Sequence, residues 1–240
     1  MLDTGEHRRF RGGAARANYL AQDRPDISYA TKELCRRMHA PHASDMKALE
    51  RLVRYLSGAR RLQYRFDWQQ DNSLCVYCDT DFAGCSVTRK STSGGCAMLG
   101  QHLIKHWAST QKTVTLSSGE AELFGVVKGA TESLGLRSLA ADMGLGQNIH
   151  VSLYADSSAA IGICNRSGIG KVRHLATGQL WIQEKIKRKE ITLFKVLGTD
   201  NPADLFTKHV PRDAVDQYLT TMSVVRGEGR ADSAPKLQNE

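Results

Sequence analysis

Leu74-Cys75-Val76-Tyr77-Cys78-Asp79 and Val151-Ser152-Leu153-Tyr154-Ala155-Asp156 are two short apolar runs, each closed by an aspartate. Runs of this length, bounded by polar residues, read as strands buried in a sheet. A carboxylate at the end of such a run packs poorly, because an unpaired charge is costly to desolvate, unless a cation or a reaction needs it. Between the runs, Ser117-Ser118-Gly119-Glu120 has the form of a capping box, serine at the cap and glutamate three residues on. It opens a helix with Leu123, Val126, Val127, Ala130 and Leu134 on one side and Glu122 in its first turn. A fourth acid, Asp204, follows in Asn201-Pro202-Ala203-Asp204. Strand, helix, strand, helix, each carrying one carboxylate, is the order that two-metal chemistry on a phosphodiester requires.

Working outward, Asp67-Trp68-Gln69-Gln70-Asp71-Asn72-Ser73 is polar and marks a boundary, and strands near 94–99 and 103–108 meet at Gly100-Gln101 as an antiparallel meander. Further along, the pattern predicts a short helix over 157–165, a helix over 179–189, a strand over 191–196 and a last helix from about Pro202. Three antiparallel strands, a crossover helix and two more strands predict an α/β fold, a mixed five-stranded sheet flanked by helices. Asp79 and Asp156, ending adjacent strands, then project from one end of that sheet, where open sheets bind ligands. Gly125 and Gly129 stack on one helix face, where a sheet can come close. Taken singly, each acid also has a structural reading: Asp79 and Asp81 as loop caps, Glu120 as the capping partner, Asp156 as a cap before Ser157, Asp204 as a charge favoured by a helix N-terminus.

A chain of 240 residues with 41% hydrophobic content is long enough for one core and a smaller appendage. We divide it into a helical segment 1–66, a main domain 67–212 and a partly disordered C-terminal tail 213–240. In the first segment, Tyr29, Leu34, Met38, Leu49, Leu52, Val53 and Leu56 recur at helical spacing around Ala40-Pro41-His42 and predict two helices, while 1–17, Arg- and Gly-rich, reads as a poorly ordered lead-in. With no apolar run of about 18 residues and no apolar leader, the expectation is a soluble, intracellular protein without a membrane partner. The six cysteines lie mostly in apolar runs and read as reduced core thiols; Cys75 and Cys78 point to opposite faces of one strand, against a metal pair. Residues 1–66 carry 14 Lys/Arg against 7 Asp/Glu, whereas the rest is nearly balanced. A basic flank beside an acidic centre suits a polyanionic partner, though a solvated helix surface reads equally well.

The motifs Tyr77-Cys78-Asp79-Thr80-Asp81-Phe82-Ala83-Gly84, Ser91-Thr92-Ser93-Gly94-Gly95, Trp107 to Val114, Leu116 to Leu123, Tyr154-Ala155-Asp156-Ser157 and Ala203-Asp204-Leu205-Phe206-Thr207-Lys208 together resemble the ribonuclease H domain of copia-type retrotransposon Pol polyproteins. The resemblance covers about 74–210 and implies a ribonuclease H-like fold that cuts the RNA strand of an RNA/DNA hybrid. Asp79, Glu122, Asp156 and Asp204 are then the catalytic and metal-binding acids for two Mg²⁺ or Mn²⁺ ions. Tyr19 to Ala30 is similar to the end of the preceding reverse transcriptase region, a possible partner in the polyprotein; the polymerase's paired aspartates are absent, so no DNA synthesis is expected of this chain. Where the family commonly has Lys-His-Ile-Asp, this chain has Arg173-His174-Leu175-Ala176, and no histidine precedes Asp204 in Gly198-Thr199-Asp200-Asn201-Pro202, so His174 is the candidate to act in its place.

Hybrid recognition through phosphates and 2′-hydroxyls calls for basic and hydroxyl side chains around the acids. Arg89, Lys90, Ser91, Ser93, Lys112 and Arg173 are the candidates, with the basic helix Lys185, Lys187, Arg188 and Lys189 beyond them. Trp107 and Trp181 lie in apolar patterns and read as core rather than stacking platforms. Two other classes stay open: a non-catalytic remnant that binds nucleic acid or a protein, and another nuclease or integrase on the same fold.

Overall fold

The computed structural model describes residues 1–145, 149–168, 170, 178 and 180–228. In chain order the elements are α1 (Thr4–Leu20), α2 (Ser28–Arg36), α3 (Ala43–Gly58), β1 (Arg61–Tyr64), β2 (Leu74–Asp81), β3 (Thr92–Leu99), β4 (His102–Thr110) and α4 (Ser118–Asp142). There follow β5 (Val151–Ala155), α5 (Ser158–Asn165), α6 (Trp181–Lys187), β6 (Thr192–Lys195), a 3₁₀ turn Pro202–Phe206, α7 (Arg212–Thr221) and β7 (Val224–Gly227). The five-stranded sheet has the order β4-β3-β2-β5-β6. β2, β3 and β4 are antiparallel neighbours, and β5 and β6 run parallel to β2. This is the mixed sheet that the sequence predicts.

Alternation along β2 sorts the two sheet faces. Leu74, Val76 and Cys78 face a core completed by Leu123, Val126 and Ala130 of α4, Ile163 of α5 and Ile182 of α6. Cys75 and Tyr77 face the opposite core, built from Leu205, Phe206, Tyr218, Leu219, Met222 and Val224. The two cysteines therefore lie in different cores, as their spacing requires. Helix α4 crosses the first face closely because a Cβ at Gly129 would run into Cys78 Sγ, and one at Gly125 into Thr80 Oγ1.

Four features depart from the sequence expectations or add to them. Residues 4–20 are helix, not a loose lead-in: Glu6 N–H donates to Asp3 Oδ1 at 2.7 Å and Asp3 N–H to Glu6 Oε2 at 3.4 Å, a complete capping box. Phe10, Ala14, Ala17 and Ala21 then form a buried stripe against Ile27, Leu34, Leu49 and Leu52. Small alanines carry this helix, so a search for large apolar residues passes over it. Second, the helix expected from about Pro202 is a 3₁₀ turn over Pro202–Phe206; Pro211 disfavours helix just before itself, and α7 begins after it. Third, β1 and β7 form a separate antiparallel pair, Arg61 opposite Gly227 and Tyr64 opposite Val224, with no sequence signal beyond two short runs. Fourth, α7 and β7 occupy most of residues 213–227 within the region read as a tail, while residues 229–240 lie outside the described residues.

The N-terminal helices touch the sheet as well as one another. Ser28 Oγ and His106 Nδ1 of β4 are 2.9 Å apart, and Lys32 Nζ donates to Thr92 Oγ1 of β3 at 2.7 Å. The His106 ring stacks on Phe206 with centroids 5.4 Å apart.

Candidate active site

The parallel register of β2 and β5 places Cys78 beside Ala155, so the next residues, Asp79, still within β2, and Asp156, just past β5, lie at the same end of the sheet. Helix α4 starts above that end. Ser117 Oγ accepts the N–H of Glu120, and Glu120 Oε2 accepts that of Leu116, so Glu120 caps the helix rather than facing the acids. Buried Gln111 donates both to Ser93 Oγ and to the carbonyl of Ala121, each at 2.8 Å, and so ties the first turn of α4 to β3. One residue on, Glu122 leans over the strand ends. Carboxylate oxygens of Asp79, Glu122 and Asp156 all lie within 4.8 Å of one another.

Asp204 reaches the same place by a different route. Asn201, fully buried, donates its amide to the carbonyl of Cys78 at 3.0 Å and accepts the N–H of Ala203 at 3.2 Å, which starts the 3₁₀ turn beside β2. The turn can lie there because Gly94, paired with Asp79 across the ladder, has no side chain: a Cβ would stand 2.7 Å from Phe206 Cβ and from Thr207 Cγ2. Thr207 Oγ1 donates to Asp79 Oδ2, Tyr218 Oη to Asp204 Oδ2 at 3.5 Å, and Lys208 Nζ lies 2.9 Å from Asp204 Oδ1.

So many like charges at one point hold protons tightly. Burial, then the charges of Asp79 and Asp156, push the Glu122 carboxyl up to about 9. Burial and the Asp79 charge raise Asp156, and burial raises Asp204 to about 6 against the opposing pull of Lys208. Burial alone would lower the Lys208 ammonium, but its bond to Asp204 and the charges of Asp79 and Asp156 raise it. A divalent cation would relieve this repulsion. The donor set is all hard carboxylate oxygen, without thiol or imidazole, which suits Mg²⁺ or Mn²⁺.

Of the predicted site, the structure brings Asp79, Glu122 and Asp156 within 4.8 Å of one another and sets Asp204 beside Asp79. Arg89 and Lys112 are exposed and Lys90 half-buried, in the β2–β3 loop and just past β4, at the same end of the sheet as the acids. Ser91 and Ser93 are corrected: both are buried, Ser91 accepting the N–H of Ala83 and pairing with Thr115, Ser93 accepting from Gln111, so neither hydroxyl faces a substrate. Arg173 and His174 lie outside the described residues. On α6 and the turn after it, Lys185 pairs with Glu190 and Arg188 with Glu184, and Trp107 and Trp181 pack on the main core. Sequence reasoning missed Gln111, Asn201, Thr207 and Lys208. Gln111, Thr207 and Lys208 fall inside the quoted motifs and Asn201 shortly before Asp204, but nothing in the sequence marks what they do.

Fold and site together define a ribonuclease H-like α/β protein with a four-carboxylate centre. No family model matches the chain. Residues of this chain are 31% identical over 218 positions to the retrovirus-related Pol polyprotein from transposon RE1 of Arabidopsis thaliana, covering 90% of the chain, and 31% identical over 191 positions to that from transposon TNT 1-94 of Nicotiana tabacum, covering 79%. The chain is a homologue of one segment of the Pol polyproteins of copia-type retrotransposons; it spans 15% and 14% of the length of these two. Among solved structures, the LC11 RNase H1 isolated from compost aligns over 62% of this chain and 99% of its own, at 15% identity and a TM-score of 0.40. At that score the alignment adds nothing to the strand order, which itself defines the fold.

Proposed function

We propose that this chain is a metal-dependent ribonuclease H that cuts the RNA strand of RNA/DNA hybrids during retrotransposon replication. The observation that carries this reading is the meeting of the Asp79, Glu122 and Asp156 carboxylates, from three separate elements, within 4.8 Å. Asp79, Glu122, Asp156 and Asp204 would hold two Mg²⁺ or Mn²⁺ ions, which when bound supply an activated water and stabilise the leaving oxygen. The chain's own part is positional. Thr207 fixes one oxygen of Asp79, Asn201 and Gly94 seat the turn that presents Asp204, and Gln111 anchors the helix that presents Glu122. Arg89, Lys90 and Lys112 would meet phosphates of the hybrid at this end of the sheet. We read residues 1–66 as the end of the polyprotein's preceding reverse transcriptase region, set against the domain that follows.

The deciding experiment is cleavage of a labelled RNA/DNA hybrid by the purified chain with Mg²⁺, with Mn²⁺ and with chelator, beside Asp156→Asn. Cuts confined to the RNA strand, dependent on the ion and lost in the variant, are expected. A folded chain that binds hybrid yet leaves the RNA intact with both ions would overturn the enzymatic reading in favour of a binding remnant.

A further inference from the structure

Lys208 is the cation that stands among the four acids. Its Nζ lies 2.9 Å from Asp204 Oδ1, with the lysine side chain 49% exposed and the aspartate side chain 11%. Its main-chain N–H also donates to the Asp204 carbonyl at 3.3 Å, so the stem is anchored while the head is half in water. Among the described residues no hydroxyl or amide donates to Asp204 Oδ1; this buried oxygen has the ammonium as its ion-pair partner. The other oxygen faces Tyr218. One of the acids thus has an oxygen engaged by charge alone.

We propose that Lys208 is a built-in counter-cation of the carboxylate centre, which stands on Asp204 Oδ1 when no divalent ion is bound and must leave that oxygen when one binds. The inference rests on the metal-ion reading of the site given above. Four acids brought this close repel one another, and a single ammonium offsets part of that repulsion. A dication arriving at Asp204 meets both an occupied oxygen and a like charge beside it. Lysine suits such a role: a compact point charge on a flexible, four-carbon stem can swing into water while its stem stays packed. The arrangement lets the centre assemble before the ion arrives, and it weakens the grip on the ion.

Binding of Mn²⁺ to the full chain, without substrate, tests this directly through the loss of the free-ion EPR signal. Lys208→Met is expected to bind Mn²⁺ about tenfold more tightly than wild type, the order set by removing one like charge near a dication in a half-exposed site. Lys208→Arg, keeping the charge, is expected to stay near wild type. In chelator, Lys208→Met should melt lower than wild type, and saturating Mn²⁺ should close that gap. Equal or weaker Mn²⁺ binding by Lys208→Met, or Lys208→Arg binding as tightly as Lys208→Met, would overturn the proposal and leave the nuclease reading standing. If neither wild type nor Lys208→Met bound Mn²⁺, the metal-ion reading itself would fall, and this proposal with it.

Discussion

Replacing Glu122 by glutamine should stabilise the protein in chelator, and by an amount that depends on pH. A carboxyl that keeps its proton up to about 9 in the fold, against 4.5 for the free side chain, opposes folding between those values, because the unfolded chain releases the proton and the fold must take it back. Below pH 4.5 both states are protonated and the difference vanishes; it grows as pH rises and levels off above about 9. At pH 8 the gap from 4.5 corresponds to about 5 kcal/mol at about 1.4 kcal/mol per pH unit. Glu122 is only half-buried, and screening by water reduces this to about 2 kcal/mol. Glutamine keeps the shape and removes the titration. Thermal melts in chelator should show Glu122→Gln within error of wild type at pH 5 and higher by about 4–8 °C at pH 8. Saturating Mg²⁺ should reverse the order, since the variant lacks a ligand. A variant no more stable than wild type at pH 8 in chelator would refute the burial of Glu122 beside the charges of Asp79 and Asp156, on which this reasoning stands.

Three further outcomes are expected. Gly94→Ala forces a Cβ to 2.8 Å from the Phe206 carbonyl carbon, backbone that cannot yield, and should cost about 3 kcal/mol in urea denaturation, or about 6–12 °C in Tm; a loss under about 0.5 kcal/mol would show that the turn does not sit where described. Asn201→Ala deprives buried partners on both sides of its amide and should cost about 2–3 kcal/mol, with Asn201→Asp failing to rescue because it has no donor for the Cys78 carbonyl; equal stability of the aspartate variant at neutral pH would count against that bond. Affinity for hybrid should fall steeply between about 50 and 200 mM salt, and a flat response would remove phosphate contacts from the account.

Features that rest on one local rule were legible in the sequence. Asp79 and Asp156 ended apolar runs, Ser117 announced α4, and Gly125 with Gly129 told where that helix meets the sheet. Features that rest on a partner far along the chain were not. Every residue of β3 from Thr92 to Met98 is buried, so no alternation tells which hydroxyls face water, and Ser91 and Ser93 looked available when they are committed to Thr115 and Gln111. The ties from Asn201 to Cys78 and from Thr207 to Asp79 span more than a hundred residues, and nothing near either partner signals them. Helix α1 is an intermediate case: its Asp3–Glu6 box was present in the sequence, but the alanine stripe behind it carries little hydrophobic contrast.

The pairing of β1 with β7 has a consequence for how the chain is made. About 160 residues separate the two strands, so at about 5–20 residues per second of synthesis β1 emerges about 8–30 s before its partner exists. Over that interval Arg61–Tyr64 presents an unpaired strand edge, and the stretch after it leaves Phe66 and Trp68 66% and 93% exposed even in the finished fold. Joining the two also closes a loop that holds the entire five-stranded sheet, a step whose entropic cost only the completed sheet can offset. The clasp between β1 and β7 therefore forms last, and a nascent chain stopped short of Val224 would carry three helices and a five-stranded sheet with nothing yet to fasten the strand between them.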